Sequence, residues 1–235
     1  MAFKRQRDRR PYEDRTPKAE WAPRTDLGRK ALAGEVTSLS DVMLAGTKIL
    51  EPEIIDHLVP DLREEVLEVT STQRMTAYGR KQQMRAVAVL GNGAGVVGAG
   101  IGKALETRDA ISEAVKDAKK HLVMVQLGCS SWECGCGTGH SVIRECTGQN
   151  SSTQITVKPA PRGVGLVANE TAKKVLTLAG VKDAWTFSKG RTRNVLNMVL
   201  ATIHALDSLN SLKQGTNSEE EAAAPEAQEA AATTA

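Results

Sequence analysis

Cys129, Cys134, Cys136 and His140 place three thiols and an imidazole within twelve residues, enough donors to close a tetrahedral zinc site. The spacing, Cys-x4-Cys-x-Cys-x3-His, departs from the usual ligand pairs at Cys-x2-4-Cys and a Cys-x-Cys pair is geometrically tight, which favours reduced free thiols over zinc. Zinc held by these four would be structural, since no coordination position stays open, and Cys146 would be a spare. A catalytic thiol needs a base beside it, and the sequence places none there.

Three glycine-rich stretches invite a phosphate-binding reading. Gly93-Ala-Gly95-Val-Val-Gly98 matches G-x-G-x-x-G after a credible strand. A dinucleotide-binding turn should start its helix at the third glycine, yet Gly98, Gly100 and Gly102 continue with period two and helical spacing starts only near Arg108. Gly102-Lys103 ends like a phosphate loop, but Ala104 stands where a magnesium-binding Ser or Thr belongs. Pro159-Ala-Pro161-Arg162-Gly163-Val-Gly165-Leu166 resembles the loop of galactokinase-like kinases without the serines that should follow, and reads as a rigid turn carrying a cation.

Alternating glycines on one strand face let another backbone approach closely, either a packed helix or RNA. Arg80, Lys81, Arg85 and Lys103 around the hairpin favour RNA at the sheet's edges and loops. The expected RNA-contacting set is therefore Arg80, Lys81, Arg85, Gly91, Asn92, Gly93, Gly98, Gly100, Gly102 and Lys103, joined by Arg162, Arg191 and Arg193 in the second half.

Composition fits a binding protein better than an enzyme. Only 3% of the 235 residues are aromatic, and the apolar content of 40% rests on small aliphatic side chains suited to thin layered domains. The net charge of +3 conceals an imbalance: from Gln214 onward there are five acids and no bases, so residues 1–213 hold 31 basic against 23 acidic residues, or +8. Such a surplus favours polyanions. No apolar run approaches a membrane span and the Arg-rich N-terminus carries no hydrophobic stretch, so the reading is cytoplasmic, with no membrane partner.

Residues 1–38, with three prolines and ten Lys/Arg in the first thirty positions, read as a disordered basic arm, and residues 211–235 as a disordered acidic Ala/Glu tail. Residues 39–127 read as one domain. Helix Val42–Ile49 and a turn near Glu53–Leu58 precede three antiparallel strands, the last two joined by a Gly91-Asn92-Gly93 hairpin, and a helix follows from Arg108 to about Val125. Residues 128–140 form a Cys-rich linker. Residues 141–210 read as a second α+β domain: strands Ser141–Cys146, Thr153–Lys158 and Asp183–Phe187, a helix Glu170–Ala179 ended by Gly180, and a last helix through Leu206. Two small domains, each with its own core, are the expectation.

The first domain resembles the double-stranded-RNA-binding fold. The run from Gly79 through Leu90-Gly91-Asn92-Gly93 to Gly100-Ile101-Gly102-Lys103-Ala104 resembles the signature of universal small-subunit ribosomal protein five. Val157 to Leu166, Leu178-Ala-Gly-Val-Lys-Asp183 and Gly190-x-Thr192-x4-Asn197 resemble its second domain in the expected order, and Cys134-Gly-Cys-Gly137 resembles the archaeal branch. The resemblance spans roughly residues 38–209. It implies a non-enzymatic constituent of the small ribosomal subunit at the messenger RNA entrance. Implied partners are small-subunit ribosomal RNA, messenger RNA, and small-subunit proteins four and eight, with an influence on decoding accuracy. A free double-stranded-RNA-binding regulator and a kinase-like enzyme are the alternatives.

Overall fold

The computed structural model describes residues 21–44 and 46–211. The N-terminal half contains helices α1 (Asp26–Ala33), α2 (Leu39–Leu44) and α3 (Glu53–Leu58), strands β1 (Arg63–Thr76), β2 (Gly79–Gly91) and β3 (Val96–Ala104), helix α4 (Thr107–Lys120) and strand β4 (Leu122–Met124). A two-stranded piece follows, β5 (Leu127–Gly128) with β6 (Ser141–Val142). The C-terminal half comprises β7 (Cys146–Asn150), β8 (Thr153–Pro159), β9 (Leu166–Val167), α5 (Glu170–Ala179), β10 (Ala184–Lys189) and α6 (Val195–Asp207). The fold is α+β, with two four-stranded sheets ordered β1-β2-β3-β4 and β7-β8-β10-β9. No helix among the described residues is long and apolar enough to cross a membrane.

The first sheet is antiparallel throughout and gains a short fourth strand, because Leu122-Val-Met124 pairs with Val96–Gly98 after α4 stops at Lys120. The expected helix to Val125 is thus five residues too long: Leu122 is needed in the core beneath α2 and α3, where it meets Val42, Ile49 and Ile55. The expected strand Ser141–Cys146 is also split, with 141–142 pairing to β5 and the second sheet starting at Cys146. Helix α2 begins earlier than expected, at Leu39, where Ser38 Oγ accepts from Asp41 N at 3.3 Å.

Part of the expected basic arm is structured. Thr25 caps α1 by accepting from Gly28 N at 3.2 Å, and Gly34 ends the helix at φ +77°. The segment is pinned by Glu51, whose carboxylate accepts from Trp21 Nε1 at 3.0 Å, Arg24 N at 2.8 Å and Thr25 N at 2.7 Å. Residues 1–20 and 212–235, where the rest of the arm and the acidic tail fall, lie outside the described residues. Burial pulls the Glu51 pKa upward, but the donors from Arg24 and Thr25 outweigh it and hold the carboxyl below its usual 4.5. The folded state therefore favours the ionised form, so this anchoring is fully present above about pH 4.5 and is lost as pH falls through the lower folded value. Amide exchange at Arg24 and Thr25 should accelerate on that acid limb in wild type and be fast already at pH 7 in Glu51→Gln; an acid limb surviving in the variant rules Glu51 out.

One buried cluster spans the two halves, beside two that belong to the N-terminal half alone. Alternation sends Ala86, Ala88 and Leu90 of β2 toward α4, and Val87 and Val89 toward the C-terminal half. There Val87, Val89 and Val97 join Ile155, Val175, Leu176, Met198 and Leu206 in a single buried cluster. The β2–β3 turn seals the junction: Gly93 N donates to Leu178 O at 2.9 Å and Gly95 N to Ala179 O at 3.0 Å. Lys174 adds an ion pair to Glu65 at 2.9 Å.

Candidate nucleic-acid interface and metal centre

The glycine alternation of β3 serves helix packing. A Cβ on Gly98, Gly100 or Gly102 would run into the backbone of α4 at Ala118, Ala114 and Ala110 respectively. Gly98, Gly100 and Gly102 are all buried. These three were expected to give RNA a close approach, and the helix occupies that approach instead. Gly91 likewise abuts Leu178 of α5, so the Gly91-Asn92-Gly93 turn is turned toward the second half of the chain. Asn92 acts as the turn's brace, its Oδ1 accepting from Ala94 N at 2.8 Å and Val96 N at 3.0 Å. Strand β3 runs on through Gly98 to Ala104, so no helix starts at the third glycine as a dinucleotide turn requires.

The cations fall into a more definite pattern. Residues directly opposite each other in an antiparallel pair share a face. The register sets Arg74 opposite Lys81, Thr70 opposite Arg85, and Arg85 opposite Lys103. Arg74, Lys81, Arg85 and Lys103 therefore line the sheet face opposite α4, the same face that farther along buries Val87 and Val89. Arg74, Lys81 and Lys103 are exposed and Arg85 is half-buried; among the described residues none of the four enters a salt bridge. Arg80, expected to act with them, pairs with Met75 and points from the other face.

Strands β1 and β2 run past the end of β3 as a two-stranded ribbon, tipped by the fully exposed Tyr78 and by Met75. Sequence reasoning passed over Arg74. Its signal was available in the alternation from Val66, but the β1 bulge between Val66 and Glu68 shifts the parity that the pattern alone suggests. Arg162, Arg191 and Arg193 sit on two loops of the C-terminal half. Arg162 lies between β8 and β9, while Arg191 and Arg193 lie between β10 and α6. The structure brings neither loop into the cationic sheet row.

The Cys-rich segment forms a preassembled cage. One donor atom from each of Cys129, Cys134, Cys136 and His140 lies within 4.8 Å of the others. Cys134 Sγ and His140 Nε2 are 3.7 Å apart, close to the roughly 3.5–3.8 Å that sulfur and nitrogen ligands keep around one tetrahedral ion. The electrostatics suit deprotonated sulfur at two of three positions. Arg162 N–H, donating to Cys134, leads the causes that lower that thiol, and the Thr138 hydroxyl, 3.3 Å from Cys136 Sγ, leads those that bring Cys136 down to about 6. Burial pushes Cys129 up to about 11, a cost a bound cation would reverse. Cys146 lies apart in the shared core, where burial pushes its thiol to about 11.

His140 is buried beside Asp183, with Nδ1 2.8 Å from Asp183 Oδ2. Burial opposes a charged imidazole, yet hydrogen bonds to Cys134, Cys136 and Asp183 raise its pKa overall. For Asp183, burial likewise pulls upward, but N–H groups of Gly165 and Gly163, followed by His140, hold the carboxyl below its usual range. Nothing local in the sequence marks Asp183, which stands 43 positions from its histidine.

A pocket of about 550 Å³ lies between the halves, lined by Asp117, Lys120, His121, His204 and Asp207 among apolar side chains. His121 Nδ1 is spent 3.0 Å from Asp117 O and His204 Nδ1 3.2 Å from Gln149 O, and no hydroxyl or thiol lines the pocket as a nucleophile.

The chain matches the family models described as ribosomal protein S5, N-terminal domain, over residues 62–126, and ribosomal protein S5, C-terminal domain, over residues 148–219. It is 48% identical over 198 residues to the small ribosomal subunit protein uS5 of Methanoregula boonei, covering 84% of this chain and 97% of that one. It is 50% identical over 191 residues to the uS5 of Methanocaldococcus jannaschii, covering 81% and 88%. Similarity of that extent across both halves, carried on the strands, turn and loops just described, means that the chain belongs to the ribosomal protein S5 family.

Proposed function

We propose that this protein is a structural constituent of the small ribosomal subunit, cytoplasmic within the ribosome and without catalytic activity, and that it binds small-subunit ribosomal RNA. The observation that carries the RNA contact is the row of Arg74, Lys81, Arg85 and Lys103 on one sheet face. Four cations there can neutralise neighbouring phosphates, while the apolar stretch of the same face secures the platform to the C-terminal half. Domain limits of 39–127 and 141–210, joined by a 128–140 linker, describe two platforms braced against each other. Small-subunit proteins four and eight, and messenger RNA at the entrance of its channel, complete the proposed surroundings, with translational accuracy as the role.

Co-sedimentation tests this reading. The native protein should travel with small subunits through a high-salt gradient; free protein at the top, still able to bind duplex RNA, would favour a regulator outside the ribosome. Arg162, Arg191 and Arg193 are the proposed contacts nearest messenger RNA. Their replacement by Ala should raise misreading or slow entrance of structured messages in reconstituted translation, with a thermal midpoint near wild type, because exposed loop arginines contribute little to folding. Normal fidelity and unwinding would remove them from the functional surface.

The cage could hold a metal ion, and we infer a structural zinc. Three thiolates and one imidazole are a donor set that suits zinc, and four protein ligands leave it no open position for chemistry.

A further inference from the structure

We propose that Asp183 is the positioning residue through which zinc in the cysteine–histidine cage fixes the Pro159–Gly165 loop, so that metal occupancy sets the backbone presenting Arg162. This rests on the zinc reading above and adds to it a mechanical link between metal and loop.

Asp183 divides its two oxygens. Oδ2 lies 2.8 Å from His140 Nδ1, while Oδ1 accepts from Gly163 N at 3.1 Å and Gly165 N at 2.8 Å. Both Asp183 and His140 are buried, with side-chain exposures of 6% and 7%. If Nδ1 carries the proton toward Asp183, Nε2 offers its lone pair to the cage, the tautomer a metal ligand requires. The carboxylate cannot swing away easily. Lys182 N and Asp183 N both donate to His140 O, at 2.9 and 3.1 Å, and Ser141 Oγ donates to Asp183 O at 2.6 Å.

The loop is held from its other side as well. The Arg162 backbone N–H donates to Cys134, so three amides of one short loop end on the cage or on the carboxylate behind it. Three thiolates around a dication carry a formal charge of −1, which strengthens an N–H donor aimed at sulfur. Without the ion nothing ties the three sulfurs and His140 Nε2 to one centre, so the ring, the Asp183 carboxylate behind it and the loop amides lose a common anchor. Gly163 and Gly165 adopt φ of +96° and +74°, a backbone that other residues would strain to follow, while the Arg162 side chain stays exposed. The metal thus orders the scaffold, and the scaffold aims the cation.

The test uses the purified full-length protein, with zinc content measured alongside amide exchange at residues 162, 163 and 165. Wild type should hold one zinc; chelation should accelerate these three amides at least tenfold, and added Zn2+ should restore them. Asp183→Asn should release zinc about 10–100-fold more readily. At saturating zinc its Gly163 and Gly165 amides should still exchange fast, at a temperature where circular dichroism shows both proteins folded. Stoichiometric zinc with loop exchange indifferent to it would overturn the link, as would wild-type zinc affinity in Asp183→Asn. A wild-type protein that takes up no zinc would instead remove the underlying metal reading.

Discussion

Replacing Arg74, Lys81 and Lys103 together by Gln should weaken binding to a small-subunit ribosomal RNA fragment by roughly a few hundred-fold at 0.1 M salt. Each phosphate contact contributes about 0.7–0.9 to the slope of log affinity against log salt. Removing three should therefore flatten that slope by about 2 to 3 units, and the two binding curves should converge as salt approaches 1 M. The three side chains are exposed on one sheet face, so the fold should survive. Arg80→Gln supplies the contrast, because Arg80 faces the other way and should change the slope by at most one unit. Fluorescence anisotropy across a salt series reads both quantities. Parallel slopes for the triple variant and wild type would show that this face does not meet phosphate.

Gly100→Val should be the most damaging single substitution in the N-terminal half. A side chain there meets the Ala114 carbonyl and the Ala118 backbone of α4, rigid groups that no rotamer change can clear. Overpacking of this kind costs about 3 kcal/mol or more, a fall of roughly 6–12 °C in midpoint for a chain of this size. The loss should not stay local, since Ala99 and Val97 on the reverse face belong to the core shared with the second half. Gly135→Ala is the control, because nothing lies within 4 Å of the added carbon. Thermal denaturation decides: a Gly100→Val protein melting within 2 °C of wild type would mean that α4 yields far more readily than its backbone contacts imply.

Much of this arrangement was legible in the residues. Period-two runs gave β2 and β3, Asn92 with its flanking glycines gave their turn, and Gly180 ended α5 as expected, at φ +91°. The cage ligands were identifiable because they are close in sequence. What the sequence could not carry was which strand face each residue took and what covered it. The stripe at Gly98, Gly100 and Gly102 announced a close backbone approach, but helix and RNA leave the same trace in a sequence. Arg74 was obscured by a bulge that resets parity, and Asp183 by its separation of 43 positions from His140. Helix α1 was missed because its stability comes from outside itself, through a Glu51 carboxylate that gathers Trp21, Arg24 and Thr25.

The shared core has a consequence for biosynthesis. A nascent chain leaves the ribosome N-terminus first, and strands β1 to β3 can pair as soon as residues 63–104 are free. Val87, Val89 and Val97 then wait, uncovered, until Leu176, Met198 and Leu206 have been made about a hundred residues later. At some 5–20 residues per second that wait lasts on the order of 5–20 seconds, long against the time in which such a hairpin forms. During it the half-made protein shows an apolar sheet face whose outer end is cationic, attractive both to chaperones and to nascent ribosomal RNA.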